Sequence, residues 1–172
     1  MKEFVLKTWI KLCCFFIFTQ LSFAVEPTVP LKIWINEAII NVYDFNDENW
    51  MARQKDIATY FTAEAWKVYL DALNKSNLLK QVQTNHFNVS AVATQPPSIK
   101  AIDDHNWEAS MPILVQYKNK DDVQVQHLEI NLHIVQTSQG GVRGFAILQF
   151  QSKIQAHPCS CENVYQPRVT IV

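Results

Sequence analysis

Leu31-Lys32-Ile33-Trp34-Ile35-Asn36-Glu37-Ala38-Ile39-Ile40-Asn41-Val42-Tyr43-Asp44-Phe45 is the stretch on which the fold turns. Leu31, Trp34, Ile35, Ala38, Ile39, Val42 and Phe45 recur at three- and four-residue spacing, with Lys32, Asn36 and Asn41 between them. That period predicts an amphipathic helix with one face on a core. Pro30 stands just inside the expected start, where proline is tolerated. Trp34 and Ile40 fall at near-opposite azimuths, so one face is expected on the core and another against a neighbouring molecule. After Asn46-Asp47-Glu48-Asn49, whose oxygens and negative charge suit a helix amino terminus, a second helix is expected through Trp50, Met51, Ile57 and Tyr60. Thr62 reads as the cap of a third, which carries Ala65, Trp66, Tyr69, Leu70 and Leu73 and stops before Ser76-Asn77.

Beyond residue 84 the period falls to two. Phe87, Val89, Ala91 and Ala93 alternate with Asn88, Ser90 and Val92, and Pro96-Pro97 end that strand. Trp107 to Tyr117, Val123 to Thr137 and Val142 to Ile154 read as further strands, with hairpins at Asp121-Asp122 and Gly140-Gly141. Three N-terminal helices followed by about four antiparallel strands define a segregated α+β class. A curved sheet wrapped over the first helices is expected to bury Trp34, Trp50, Trp66 and Trp107 together.

The amino terminus sets the compartment. Lys2, Lys7 and Lys11 precede the apolar run Leu12 to Phe18, and Ser22-Phe23-Ala24 presents small residues at signal-peptidase spacing. Residues 1–24 therefore read as a cleavable signal peptide, because the apolar stretch Leu12 to Val25 falls short of the ~20 residues that span a bilayer. Cys13 and Cys14 lack the small-residue context of a lipoprotein site and leave with the signal. Residues 25–154 read as one periplasmic domain and 155–172 as a C-terminal tail, in keeping with ordinary domain size. Removing Lys2, Lys7, Lys11 and Glu3 from 15 basic and 16 acidic residues leaves 12 and 15, a net charge near −3. No nucleic-acid partner is expected from that balance. Three glycines in the whole chain exclude glycine-rich phosphate loops and dinucleotide fingerprints.

Four strings, in order, resemble the periplasmic domain of the DotI/IcmL family of type IVB (Dot/Icm) secretion components. They are Trp34-Ile35-Asn36-Glu37-Ala38, Phe61-Thr62-Ala63-Glu64-Ala65-Trp66, Val89-Ser90-Ala91-Val92-Ala93-Thr94 and Met111-Pro112-Ile113-Leu114-Val115-Gln116-Tyr117. The resemblance runs from Leu31 to about Phe150. It implies a cone-like domain of the nuclear transport factor and ketosteroid isomerase type, which assembles with itself or with secretion-complex subunits. Full-type members keep a transmembrane helix, whereas this chain is expected to meet the membrane only through partners. The tail His157-Pro158-Cys159-Ser160-Cys161, with Tyr165-Gln166-Pro167-Arg168, does not align to the family pattern.

The residues suggest no catalytic, cofactor or metal set. Cys159 and Cys161 form the sharpest local signal, and three readings stay open: a small strained disulfide, thiols free or bonded to a partner chain, and a soft-metal site with His157. His86, His105, His127 and His133 are scattered and read as surface or satisfied core residues. The alternative function is a small-molecule-binding or isomerase-like enzyme on the same cone. There Asp103 or Asp104 would be the carboxylate base and Tyr117 a hydrogen-bond donor, provided that they faced one cavity. Fold alone does not license that reading, and the expected function is a non-catalytic protein-interaction domain.

Overall fold

A computed structural model describes residues 28–138 and 140–156. Residues 1–24, expected to be a signal peptide, and Cys159 and Cys161 lie outside them. The order is α1 (Thr28–Val42), β1 (Phe45–Asn46), α2 (Trp50–Ala58), α3 (Ala63–Lys75), α4 (Leu78–Asn85), β2 (Asn88–Ala93), β3 (Ser98–Ala101), β4 (Asn106–Lys118), β5 (Val123–Gln136) and β6 (Phe145–Ile154). The α+β class and the curled antiparallel sheet match the sequence reading, with additions: α4, β1 and β3 are extra elements. Phe45, assigned above to the first helix, instead pairs with Val89 in β1.

Helix α1 buries Leu31, Trp34, Ile35, Ala38, Ile39 and Val42, the stripe its spacing predicts. Ile40 is half-buried against the same core rather than set out on an opposite face. Thr62 caps α3 as expected, its hydroxyl accepting from the Ala65 N–H at 3.3 Å. The entry to α2 differs. Its first turn holds no acidic residue, and the approach is tied by Asn46 Oδ1, which accepts from the N–H groups of Glu48 and Asn49 at 3.0 and 2.8 Å.

The sheet runs β1-β2-β4-β5-β6, and β3 also pairs with β4. Strand β4 is the long spine, matched along its length by β5. On its other side β2 covers Ile113–Lys118 and β3 covers Trp107–Ser110, so the chain steps from one to the other through residues 94–97. Pro112 sits opposite that step. Its carbonyl accepts from the Thr94 N–H at 3.0 Å, and because a strand residue aims both backbone groups to one side, its nitrogen faces the break. No bond to β5 is lost. Leu148 is the extra residue of a bulge in β6, between the pairs Ile134↔Ile147 and His133↔Gln149, and such a bulge bends the sheet.

The inner face of the sheet presents Met111, Ile113, Val115, Ile130, Leu132, Ile134 and Ile147 to the helices. The four tryptophans share one core but lie at different depths in it. Trp34 is fully buried between Tyr60 and Phe145, at ring distances of 5.9 and 5.7 Å, and Trp50 is buried against Phe45 at 4.9 Å. Trp66 and Trp107 are only partly buried, the first stacked on Tyr69 at 5.4 Å and the second edge-on to Phe145 at 5.8 Å.

Candidate interaction surface

The interior of the cone is filled with side chains. Tyr43, Phe61, Tyr69, Phe87 and Tyr117 are all buried, and Phe150 closes on Tyr43, Phe61 and Tyr69 at ring distances of 6.4, 5.9 and 5.5 Å. Burial raises the phenol pKa values of Tyr43, Tyr69 and Tyr117, and at Tyr43 the two neighbouring phenols push further the same way. These hydroxyls stay protonated in neutral solution. Among the described residues, no charged or polar residue is buried with them.

The structure separates the residues of the isomerase-like alternative. Asp103 and Asp104 are exposed in the turn between β3 and β4, whereas Tyr117 lies near the other end of β4. Eleven residues of strand from Asn106 to Tyr117 amount to about 36 Å of chain, so no one cavity holds both. Asp103 accepts from the His105 N–H at 2.8 Å and the Asn106 side-chain amide at 2.9 Å. These bonds, the His105 backbone bond foremost, lower its pKa, the opposite of what a general base poised near neutrality needs. A carbon-detected NMR titration is expected to place the Asp103 midpoint below the ordinary 3.8. A depressed folded pKa means that the turn is supported above pH 3.8 and loses that support as pH falls through the lowered midpoint. A midpoint above 5 would overturn this assignment.

The histidines stay apart. His86 caps α4 in a left-handed conformation and meets Asp47 Oδ2 at 2.5 Å. His105 meets Gln136 Oε1 at 3.0 Å. His127 and His133 lie on the outer face of β5, His133 between Glu108 and Gln149 of the flanking strands. Among the described residues, no group of three His, Cys, Asp or Glu converges as metal ligands would. The proposed set His157, Cys159 and Cys161 lies outside them.

The uncovered surface is the outer face of the sheet, away from the helices. Toward the β4–β5 hairpin it carries an apolar band. Val92 pairs across to Leu114, Leu114 lies diagonal to Val125, and Val123 follows two residues along. Val92, Val123 and Val125 are 59%, 51% and 41% exposed, enough for a partner to bury. Toward the other end lies a polar depression of about 370 Å³ bordered by Lys100, Glu108, Asn131, His133, Gln149 and Gln151. Val92 was legible as an outward residue from strand alternation. Val123 and Val125 were not, because the apolar run of β5 changes face between Val125 and Leu128.

Polar ties join α1 to the β5–β6 hairpin and to α2. Arg143 pairs with Glu37 of α1 at 3.0 Å, and Arg53 of α2 donates to the Asn41 side chain of α1 at 2.9 Å. Glu37 belongs to the first of the four strings, so that string positions the hairpin as well as the core.

A four-helix α+β cone of this kind defines the nuclear transport factor 2-like fold. A solved member of that superfamily from Salmonella enterica serovar Typhimurium superposes with a TM-score of 0.54 over 80% of this chain and 99% of that one, at 13% identity, a likeness of fold alone. The chain belongs to the DotI/IcmL family, described as an inner-membrane complex component of the type IVb secretion system, whose model matches residues 18–153. An IcmL-like type IV secretion system protein from Legionella pneumophila is 45% identical, with a TM-score of 0.73 over 77% of this chain and 96% of that one. The periplasmic domain of DotI is 31% identical, with a TM-score of 0.66 over 72% and 92%. Among curated proteins nothing matches the chain. No helix among the described residues is long and apolar enough to cross a membrane.

Proposed function

We propose that this chain is a non-catalytic periplasmic subunit, exported by a signal cleaved after Ala24, that docks onto other secretion-complex proteins, or onto further copies of itself, through the outer face of its sheet. The family match over residues 18–153 carries this reading. The filled cone supports it, since the side chains that would line a substrate cavity pack against one another. The exposed band of Val92, Val123 and Val125 supplies apolar area on a face that no described helix covers.

Crosslinking from periplasm followed by capture of the tagged chain tests it. Val92→Lys with Val125→Lys is expected to leave the fold intact, because exposed positions rarely change stability by more than about 0.5 kcal/mol. The same pair is expected to weaken capture of secretion-complex proteins at least about tenfold, as loss of a central apolar contact does. Undiminished capture by the double variant would move the docking surface elsewhere. A native chain found in the cytoplasm with residues 1–24 intact would end the export reading, and light scattering that showed a strict monomer at high concentration would remove self-association.

A further inference from the structure

The polar depression on the outer face is built from two cross-strand rows. Glu108, His133 and Gln149 stand side by side on β4, β5 and β6, and Ser110, Asn131 and Gln151 form a parallel row two residues along. Neighbours within a row are about 5 Å apart, so one small molecule can touch several of them at once. The short side chains of Ser110 and Asn131 lie among the longer ones of Glu108, Gln149 and Gln151, which hollows the surface. Its volume of about 370 Å³ falls within the range of small-molecule pockets, roughly 300–1,000 Å³.

Much of the hydrogen-bonding capacity here is unspent. Among the described residues, the carboxamides of Asn131, Gln149 and Gln151 form no hydrogen bond to the protein. His133 Nε2 is shut off from water and has no hydrogen-bond partner among those residues, an unfavourable state for a buried polar atom. Glu108 and Gln149 flank it from the adjoining strands, and their exposed, unbranched side chains can turn aside to open it. Ser110 donates to Glu129 Oε1 and keeps its own lone pairs to accept. Charge at the rim cancels, because Lys100 lies 3.8 Å from Glu108.

That inventory selects a ligand by its chemistry. With Lys100 and Glu108 opposed, neither an anion nor a cation finds a net counter-charge, and no three metal-ligating side chains converge among the described residues. A protein partner anchors on apolar and aromatic side chains, of which the two rows hold none. A carboxamide donates at one end and accepts at the other, and a neutral imidazole does one or the other at each nitrogen. A hydroxyl does both, so it satisfies a carboxamide in either orientation and Nε2 in either tautomer. We propose that the depression binds a neutral pyranose glycan, whose hydroxyls bridge Asn131, Gln149 and Gln151 while one of them reaches His133 Nε2. The site stands at the opposite end of the face from Val92, Val123 and Val125, so it is independent of protein docking at that band.

NMR titration of the whole chain with neutral disaccharides (cellobiose, maltose, lactose and diacetylchitobiose) tests the proposal. At least one of them is expected to move the side-chain amide signals of Asn131, Gln149 and Gln151 together with the ring signals of His133. Half-saturation is expected at about 1–10 mM, since a site without an aromatic platform binds weakly. Asn131→Ala with Gln151→Ala, both at exposed positions, is expected to weaken that binding at least about tenfold through lost hydrogen bonds. The Ile113 and Ile130 amides of β4 and β5 report that the double variant stays folded. Sodium sulfate at the same concentrations is expected to leave the four residues' signals in place. Silence of all the sugars up to about 50 mM would overturn the proposal, as would shifts that persist undiminished in the double variant. Sulfate moving the same signals as strongly as the sugars would also overturn it, because the depression would then be an anion site.

Discussion

Replacing Trp34 by Ala is expected to cost about 3–5 kcal/mol, the range for a large aromatic deleted from a packed core, out of a total near 5–15 kcal/mol for a domain of this size. Trp34 is fully buried and links α1 to Tyr60 and to Phe145 of β6, so its removal opens a cavity where helix and sheet meet. Trp66→Ala is expected to cost about 1–2 kcal/mol, the loss of a half-buried ring and its stacking on Tyr69. Urea denaturation of both variants measures the difference through the midpoint at constant slope. Equal losses would show that the partly exposed ring carries as much of the core as the buried one.

The second large effect is expected at Gly141. Both Gly140 and Gly141 adopt positive φ, +77° and +73°, and either Ala variant pays the backbone strain of about 1–2 kcal/mol. Only at Gly141 would the added methyl also press into the carbonyl of Phe145. That oxygen belongs to the first residue of β6 and cannot swing aside as a flexible side chain would. Gly141→Ala is therefore expected to cost at least about 3 kcal/mol in total, and Gly140→Ala, which meets nothing within 4 Å, only the strain. Thermal unfolding of the pair separates the two contributions. Matching melting temperatures would mean that the hairpin relaxes to admit the methyl group.

The parts of the fold visible in the sequence are those whose period survives over many residues. Helix α1 shows three turns of apolar spacing, β4 alternates from Ala109 to Tyr117, and β5 alternates from Leu128 to Ile134. Helix α4 was hidden because eight residues offer only Leu78 and Val82 to the core, too few to establish a period. Strand β3 has four residues and buries none of them fully. Phe45 kept the helical spacing of α1 although the helix ends at Val42, since side-chain spacing carries no mark of where the backbone turns. The tryptophans were placed together on size and apolarity, but depth depends on which elements pack above a residue, and Trp66 and Trp107 lie where cover is thin. At the candidate surface, the band from Val92 to Val125 is created by the pairing of β2, β4 and β5. It joins residues more than 30 positions apart, which only cross-strand alignment brings side by side.

Pro112 has a consequence for how the sheet finds its alignment. Strand β2 ends where its next carbonyl, that of the exposed Thr94, can bond to water instead of to the proline ring. Sliding β2 two residues along β4 would keep every side chain on its proper face, which makes it the misalignment that burial alone punishes least. After such a slide the carbonyl of Val92 would face a ring with no hydrogen to offer, forfeiting a ladder bond worth about 1 kcal/mol. The proline that costs the correctly paired sheet nothing thus acts as a stop, penalising the error that hydrophobic patterning leaves open.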